Sequence, residues 1–224
     1  MAGGYQDTVI SMDQPLKEQK SVRFTAAMFP DGNKEQKLLQ AEYMNHMVYT
    51  RNVPVNHAMG ILANIYRESS FNPSLTSKSE SSYGLLQWND SDKGEWKRGT
   101  MMKKPVNKGR EKDADGKEPW ETDWMGQLDY AIQEVEEGSN KKFHDMYLSD
   151  ESITDAYTAS DWLVNRNIRP YGVIKKVTEE SGIIVVPDKA RKAEMKHRRD
   201  FIKTYNDFNK VFINPLAGGR TRAY

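Results

Sequence analysis

The sequence predicts a mostly α protein with a small β-hairpin or loop region set into it. Two observations predict this. Apolar residues recur at steps of three and four in the stretches before residue 74 and after residue 121. Between them, residues 74 to 121 are dominated by Ser, Lys, Asp and Gly, with one apolar island, Tyr83-Gly84-Leu85-Leu86-Gln87-Trp88. No internal repeat interrupts this order.

Residues 1 to 33 are polar and weakly periodic and close on the turn signal Pro30-Asp31-Gly32-Asn33. They read either as an N-terminal arm that docks on a partner or as a poorly ordered tail. Residues 34 to 214 form the domain, and residues 215 to 224 a C-terminal tail. Residues 34 to 52 predict a helix with Leu38, Leu39, Tyr43 and Met47 on one side, broken by Pro54. Asn56 then reads as the N-cap of the next helix, whose stripe is Ala58, Ile61, Leu62 and Ile65. Asn72-Pro73 stops it. The loop-rich stretch that follows is long enough to be a functional region.

Helices return with Trp124, Leu128, Ala131, Ile132 and Val135, ending at Gly138. Another is expected from the box Ser152-x-x-Asp155 to Asn165. Ser181 to Pro187 is a short apolar connector that reads as one strand at most. A last helix starts near Asp188, with Ala190, Ala193, His197, Phe201, Tyr205 and Phe208 as its stripe.

Composition narrows the function classes. The 224 residues suffice for one sizeable domain, and 29% charged residues mark a globular chain. A formal net charge of +1 gives no argument for nucleic acid. The absence of cysteine excludes disulfides, thiol nucleophiles and Cys-ligated zinc. The four histidines, His46, His57, His144 and His197, form no zinc-binding pair, so no metal and no cofactor is expected. The longest aliphatic run is Ile183 to Val186, far short of a membrane span. The start, Met-Ala-Gly-Gly-Tyr-Gln-Asp, does not read as a secretory signal.

Glu68 is the sharpest chemical signal. It lies three residues after Ile65 and seven after Ile61, on the apolar face of its helix. A carboxylate there is costly unless it is paired or protonated. It also sits in the last helical turn, where the dipole disfavours negative charge. Both effects raise the proton affinity expected of it, which suits a general acid. The structural alternative is a rim carboxylate paired with Arg67 or a nearby lysine.

The surrounding residues weigh against that alternative. Arg67-Glu68-Ser69-Ser70-Phe71-Asn72-Pro73, followed by Tyr83-Gly84-Leu85-Leu86-Gln87-Trp88, resembles the phage tail lysozyme family, within the broader group of goose-type lysozymes and lytic transglycosylases. The run Ala58-x-Gly60-Ile61-x-x-Asn64, the segment Gln127-Leu128 and the tail Ala190-Arg191-Lys192-Ala193 are similar to further elements of that family. Asn167-Ile168-Arg169-Pro170 departs from it, with Ile168 where the family often carries a second acid.

The resemblance implies a lysozyme-like α+β fold in which the β region forms one side of a cleft. It implies cleavage of the β-1,4 bond between N-acetylmuramic acid and N-acetylglucosamine in peptidoglycan. Glu68 would be the acid, with Asp90 and Asp92 as candidates for a second carboxylate. Taken singly, each of these aspartates reads first as part of a solvated Asn-Asp-Ser-Asp turn. Tyr83, Gln87 and Trp88 would line the cleft, and Gly84 would let the backbone approach the sugar. Ser69 and Arg169 complete the residues expected to touch substrate. For Trp88 and the leucines, a hydrophobic plug beneath the loop is the competing reading. Hydrolysis and transglycosylation remain alternatives. So do a tail or baseplate lysozyme, a free endolysin and an inactive structural tail component. The expected partners are peptidoglycan and other phage tail proteins, and the expected location is the virion tail, acting at the host cell wall.

Two further motifs carry no site. Glu111-x-Asp113-x-Asp115-Gly116 resembles the start of a calcium loop but has Thr122 at position twelve. Lys97 to Lys112 holds seven basic residues and one acid, and reads as a solvated loop or a contact for an anionic polymer or acidic partner.

Overall fold

The computed structural model describes residues 23–77, 81–90, 97–137, 147–148, 150, 152–166, 176–177, 184–185 and 188–212. Its helices are α1 (Lys34–Asn45), α2 (Val55–Ser69), α3 (Arg98–Asn107), α4 (Pro119–Thr122), α5 (Trp124–Glu137), α6 (Ala156–Arg166) and α7 (Asp188–Phe212). Strands β1 (Thr76–Ser77), β2 (Ser82–Tyr83) and β3 (Trp88–Asn89) form an antiparallel sheet in that order, with Thr76 opposite Tyr83 and Tyr83 opposite Trp88. A second antiparallel pair joins β4 (Lys176–Val177) to β5 (Ile184–Val185). The mostly helical architecture with a small sheet in the middle is the one the sequence predicts. The connector expected to hold one strand supplies β5, and β4 is its partner.

Local chemistry explains the helix boundaries. The Asn33 side chain accepts from the Gln36 backbone N–H at 2.9 Å, and Gln36 returns the bond to the Asn33 N–H at 3.0 Å. This capping box starts α1. The helix runs on through a π turn, His46–Thr50, before Pro54 ends it. Pro54, not Asn56, is the N-cap of α2; a proline needs no backbone donor there. Asn56 lies inside the helix and donates to the Thr154 carbonyl at 3.0 Å. Asp155 caps α6, accepting from the Thr158 N–H at 2.7 Å, so that helix begins three residues later than the Ser152 box suggests. Ser152 instead closes a turn on Asp150. Gly138 lies outside the described residues.

Helices α2, α6 and α7 pack against one another around the core. Gly60 permits the closest approach. A Cβ there would stand 2.7 Å from the Ala159 Cβ and 2.8 Å from the Ser160 nitrogen, so only glycine fits under α6. The buried face of α1 is Gln40, Ala41, Tyr43 and Met44, continued by Met47 and Val48. Leu38, expected inward, is exposed. On α7 the buried residues are Arg198, Phe201, Ile202 and Tyr205, while Ala193 and His197 face solvent.

The expected arm divides. Residues 1–22 lie outside the described residues, but Phe24, Met28 and Phe29 belong to the core. Asn45 brackets the Phe24 backbone with bonds of 2.9 and 2.8 Å, and Asn209 of α7 donates to the Met28 carbonyl at 3.0 Å. Phe29 packs on Tyr205 with ring centres 5.3 Å apart. These residues are part of the domain; their few apolar side chains were too sparse to show a period. No helix among the described residues is long and apolar enough to cross a membrane.

Candidate active site

Glu68 is the penultimate residue of α2, at the end of a helix whose inner face is almost wholly apolar. The chain then leaves the helix abruptly. Ser70 and Phe71 both adopt left-handed backbone angles, φ +50° and +68°. Such conformations cost about 1–3 kcal/mol per non-glycine residue and persist only where packing imposes them. Here Phe71 is buried between Tyr43, Tyr66 and Phe201, and the Tyr43 hydroxyl donates to its carbonyl at 3.0 Å. Glu68 therefore sits on a stiff corner.

The carboxylate has a partner that its own helix does not supply. Arg198 of α7 donates from Nη2 to Glu68 Oε1 at 2.5 Å. The Arg198 side chain is fully buried, and that of Glu68 is 17% exposed. Arg198 is held on its other sides. Its Nε donates to Asn64 Oδ1 at 2.6 Å, and its Nη1 donates to the Glu194 carboxylate and carbonyl, each at 3.0 Å. Asn64 is anchored in turn by its donation to the Gly60 carbonyl at 2.8 Å. Arg67 grips Glu194 with two bonds, of 3.0 and 2.8 Å. Burial pulls the Arg198 guanidinium below the ordinary arginine range, while Glu68 and Glu194 oppose that pull. Glu194 is held below the usual carboxylate range: burial raises it, but Arg67 and Arg198 outweigh burial. Losing one partner of such a buried pair costs about 3–5 kcal/mol.

The sequence argument was right about the face on which Glu68 lies and incomplete about its surroundings. The expected neighbour Arg67 pairs with Glu194 instead. The signal for Arg198 was nevertheless present: it stands three before Phe201 and seven before Tyr205, on the apolar face of α7, as Glu68 stands on that of α2.

The other expected site residues take varied positions. Ser69 is buried and its hydroxyl donates to the Ile65 carbonyl at 3.1 Å, within its own helix. Trp88 is 1% exposed and meets the Tyr130 ring edge-on at 5.6 Å, so it is the plug beneath the loop. Gly84, at φ +74°, is required by Gln127, whose Oε1 occupies the place of a Cβ. Tyr83 is half-buried; Lys103 places its ammonium 2.9 Å from the ring centre, and Trp120 meets the ring edge-on. Burial lowers the proton affinity of Lys103, against the pull of Asp90, Glu121 and Glu118. Gln87, at φ +48°, donates to the Gly84 and Leu75 carbonyls at 2.9 and 3.2 Å, tying the loop to β1. Asp90 spends both oxygens on Thr100, accepting from its N–H and its hydroxyl at 2.8 Å each, and so satisfies a backbone donor in the first turn of α3, whose N-cap is Lys97. Asp92 and Arg169 lie outside the described residues, as does Ile168.

Gln127 is the organiser that the sequence reading left without a role. Fully buried, it accepts from the Leu85 N–H at 2.8 Å and donates to the carbonyls of Pro73 and Trp120 at 2.9 and 2.5 Å. One amide thus joins the exit of the Glu68 helix, the Gly84 loop and α4. A surface depression of about 420 Å³ is lined by Asp155, Tyr157, Thr158, Arg199, Asp200 and Lys203 and touches none of these residues.

A family model described as phage tail lysozyme matches residues 40–171, more than half of the chain, including Glu68 and the Gly84 to Trp88 loop. Neither the curated proteins nor the solved structures contain a match to this chain.

Proposed function

The chain belongs to the phage tail lysozyme family, and from that premise we propose that it cleaves the β-1,4 bond between N-acetylmuramic acid and N-acetylglucosamine, with Glu68 as its proton donor. A lysozyme-like, peptidoglycan-degrading function follows from the family. The observation that supports the finer reading is the carboxylate itself. The stiff end of α2 keeps one acid partly exposed, with its carboxylate fixed in place by a bond from Arg198.

In this reading Glu68 donates its proton to the bridging oxygen. The bond from the muramoyl C1 to that oxygen breaks, its electron pair staying with the oxygen, and an oxocarbenium-like centre develops. Water, or the muramoyl 6-hydroxyl, then attacks C1, and Glu68 takes up the proton it loses. Both Asp90 oxygens accept from Thr100, which supports a reading in which Glu68 acts as the one carboxylate; Asp92 lies outside the described residues. The phage tail carries the protein to the wall.

A second reading, an inactive structural tail component, draws on the Arg198 pair, because a carboxylate held in its ionised form is a weak proton donor. Digestion of purified peptidoglycan followed by mass spectrometry of the muropeptides separates the two. We expect cleaved glycan with either hydrated or anhydro ends from the wild type and none from Glu68→Gln, which keeps the shape but has no proton to give. Cleavage by the variant at the wild-type rate would refute Glu68 as the donor; inert wild-type protein would favour the structural reading.

A further inference from the structure

We propose that Arg198 is the positioning residue of the reaction, fixing the rotamer of Glu68 and setting the pH range over which its carboxyl group transfers a proton. The inference rests on Glu68 being the donor. Arg198 lies beyond residue 171, on a helix that the family match does not reach.

Its geometry is that of a part held for a purpose. A buried guanidinium is normally bound to whatever charge lies nearest. Here three of its faces are assigned to separate groups: Asn64 on Nε, Glu194 on Nη1, and Glu68 on Nη2. Glu194 is shared between Arg198 and Arg67, so the three leave one positive charge, and Glu68 is the second anion of the cluster. Among the bonds the guanidinium makes, its Nη2 face is directed at Glu68 alone. Asn64 and Arg198 are fully buried, and both are tied to α2 through the Gly60 carbonyl, beneath the crossing of α6. The line Gly60, Asn64, Arg198, Glu68 runs from the close contact of α2 with α6 to the carboxylate. An orientation error transmitted along it is an orientation error at the glycosidic oxygen.

Among the described residues, charged groups near Glu68 include Arg67 from its own helix and Arg198 from α7, with Glu194 bonded to both arginines; α6 meets the cluster with the neutral Ser160. Arg198 donates directly to the Glu68 carboxylate, and such a bond is made best to the ionised group. Arg198 also stabilises the carboxylate left after the proton has gone to the leaving oxygen. The alkaline limb of activity, which reports loss of the protonated donor, is therefore placed by Arg198.

Two variants separate charge from geometry. Arg198→Lys keeps the charge and loses the fork. Its kcat for soluble muropeptide release should fall about ten- to a hundredfold, at nearly unchanged KM and with the alkaline limb in place. Arg198→Gln removes the charge, and its alkaline limb should move to higher pH. Thermal unfolding of each variant reports whether it folds. Wild-type kcat in Arg198→Lys overturns the proposal, as does an unmoved limb in a folded Arg198→Gln. If Arg198→Gln does not fold, the split between kcat and KM in Arg198→Lys decides alone. Activity in Glu68→Gln would instead remove the donor assignment on which the proposal stands, whatever the Arg198 variants do.

Discussion

At the scale of single residues, periodicity reveals which side chains lie inward but not what they meet there. Glu68 was found because a carboxylate interrupts an apolar stripe. Arg198 interrupts another stripe by the same spacing, and the pairing of the two appears only when α2 and α7 are packed together. His57 is a third case. It is buried on α2, edge-on to the Tyr147 ring at 4.8 Å. Burial lowers its proton affinity, while the Tyr147 backbone and the charge of Asp150 pull weakly the other way. A group with a depressed folded pKa binds fewer protons folded than unfolded. The stability it permits is complete above the ordinary histidine range and is lost as pH falls below about 6.5. We expect wild-type Tm to drop between pH 7.5 and 5 by more than that of His57→Leu. Parallel Tm losses in the two proteins would show that His57 does not set this dependence.

At the scale of elements, the long helices were legible because each carries a stripe, and the loop region was not, because its order comes from polar side chains acting at a distance. Gln127 fastens three segments that are 54, 42 and 7 residues away in sequence. No local pattern announces such a clamp. It also explains Gly84, which the sequence reading assigned to substrate approach and which the structure assigns to Gln127. Trp88 was poised between cleft and plug, and burial decides for the plug. Asp90 shows the same shift from chemistry to architecture, since a carboxylate near a helix start is at once a candidate base and an acceptor for a backbone donor of the first turn. Asn keeps an acceptor oxygen for the Thr100 N–H, whereas Ala loses the bond, worth about 0.5–1.5 kcal/mol. Asp90→Asn should therefore keep glycan cleavage within about twofold of wild type, and Asp90→Ala should lower Tm. Loss of cleavage in a well-folded Asp90→Asn would restore Asp90 to the reaction.

At the scale of the whole molecule, the boundary of the domain decides how its delivery can be tested. The sequence drew that boundary at residue 33, because residues 1 to 33 show little apolar period. The structure brings residues 24 to 29 into the core, where Phe24 lies 6.3 Å from the Tyr49 ring and Phe29 lies against Tyr205 of α7. Only residues 1–22 are left as the segment proposed to dock on a neighbouring tail protein; their sequence is polar and weakly periodic. The two truncations therefore have different expected outcomes. Removing residues 1–33 deletes two buried phenylalanines, each of which costs about 3–5 kcal/mol when truncated to alanine. That protein should unfold at a markedly lower temperature or fail to accumulate, and its absence from particles would say nothing about docking. Removing residues 1–22 should leave Tm and glycan cleavage unchanged while the protein disappears from gradient-purified virions, as read by proteomics of the particles. Normal incorporation of the shorter deletion would end the docking proposal and leave the enzyme intact. Absence of the full-length protein from particles would move it from the tail to the free endolysin class.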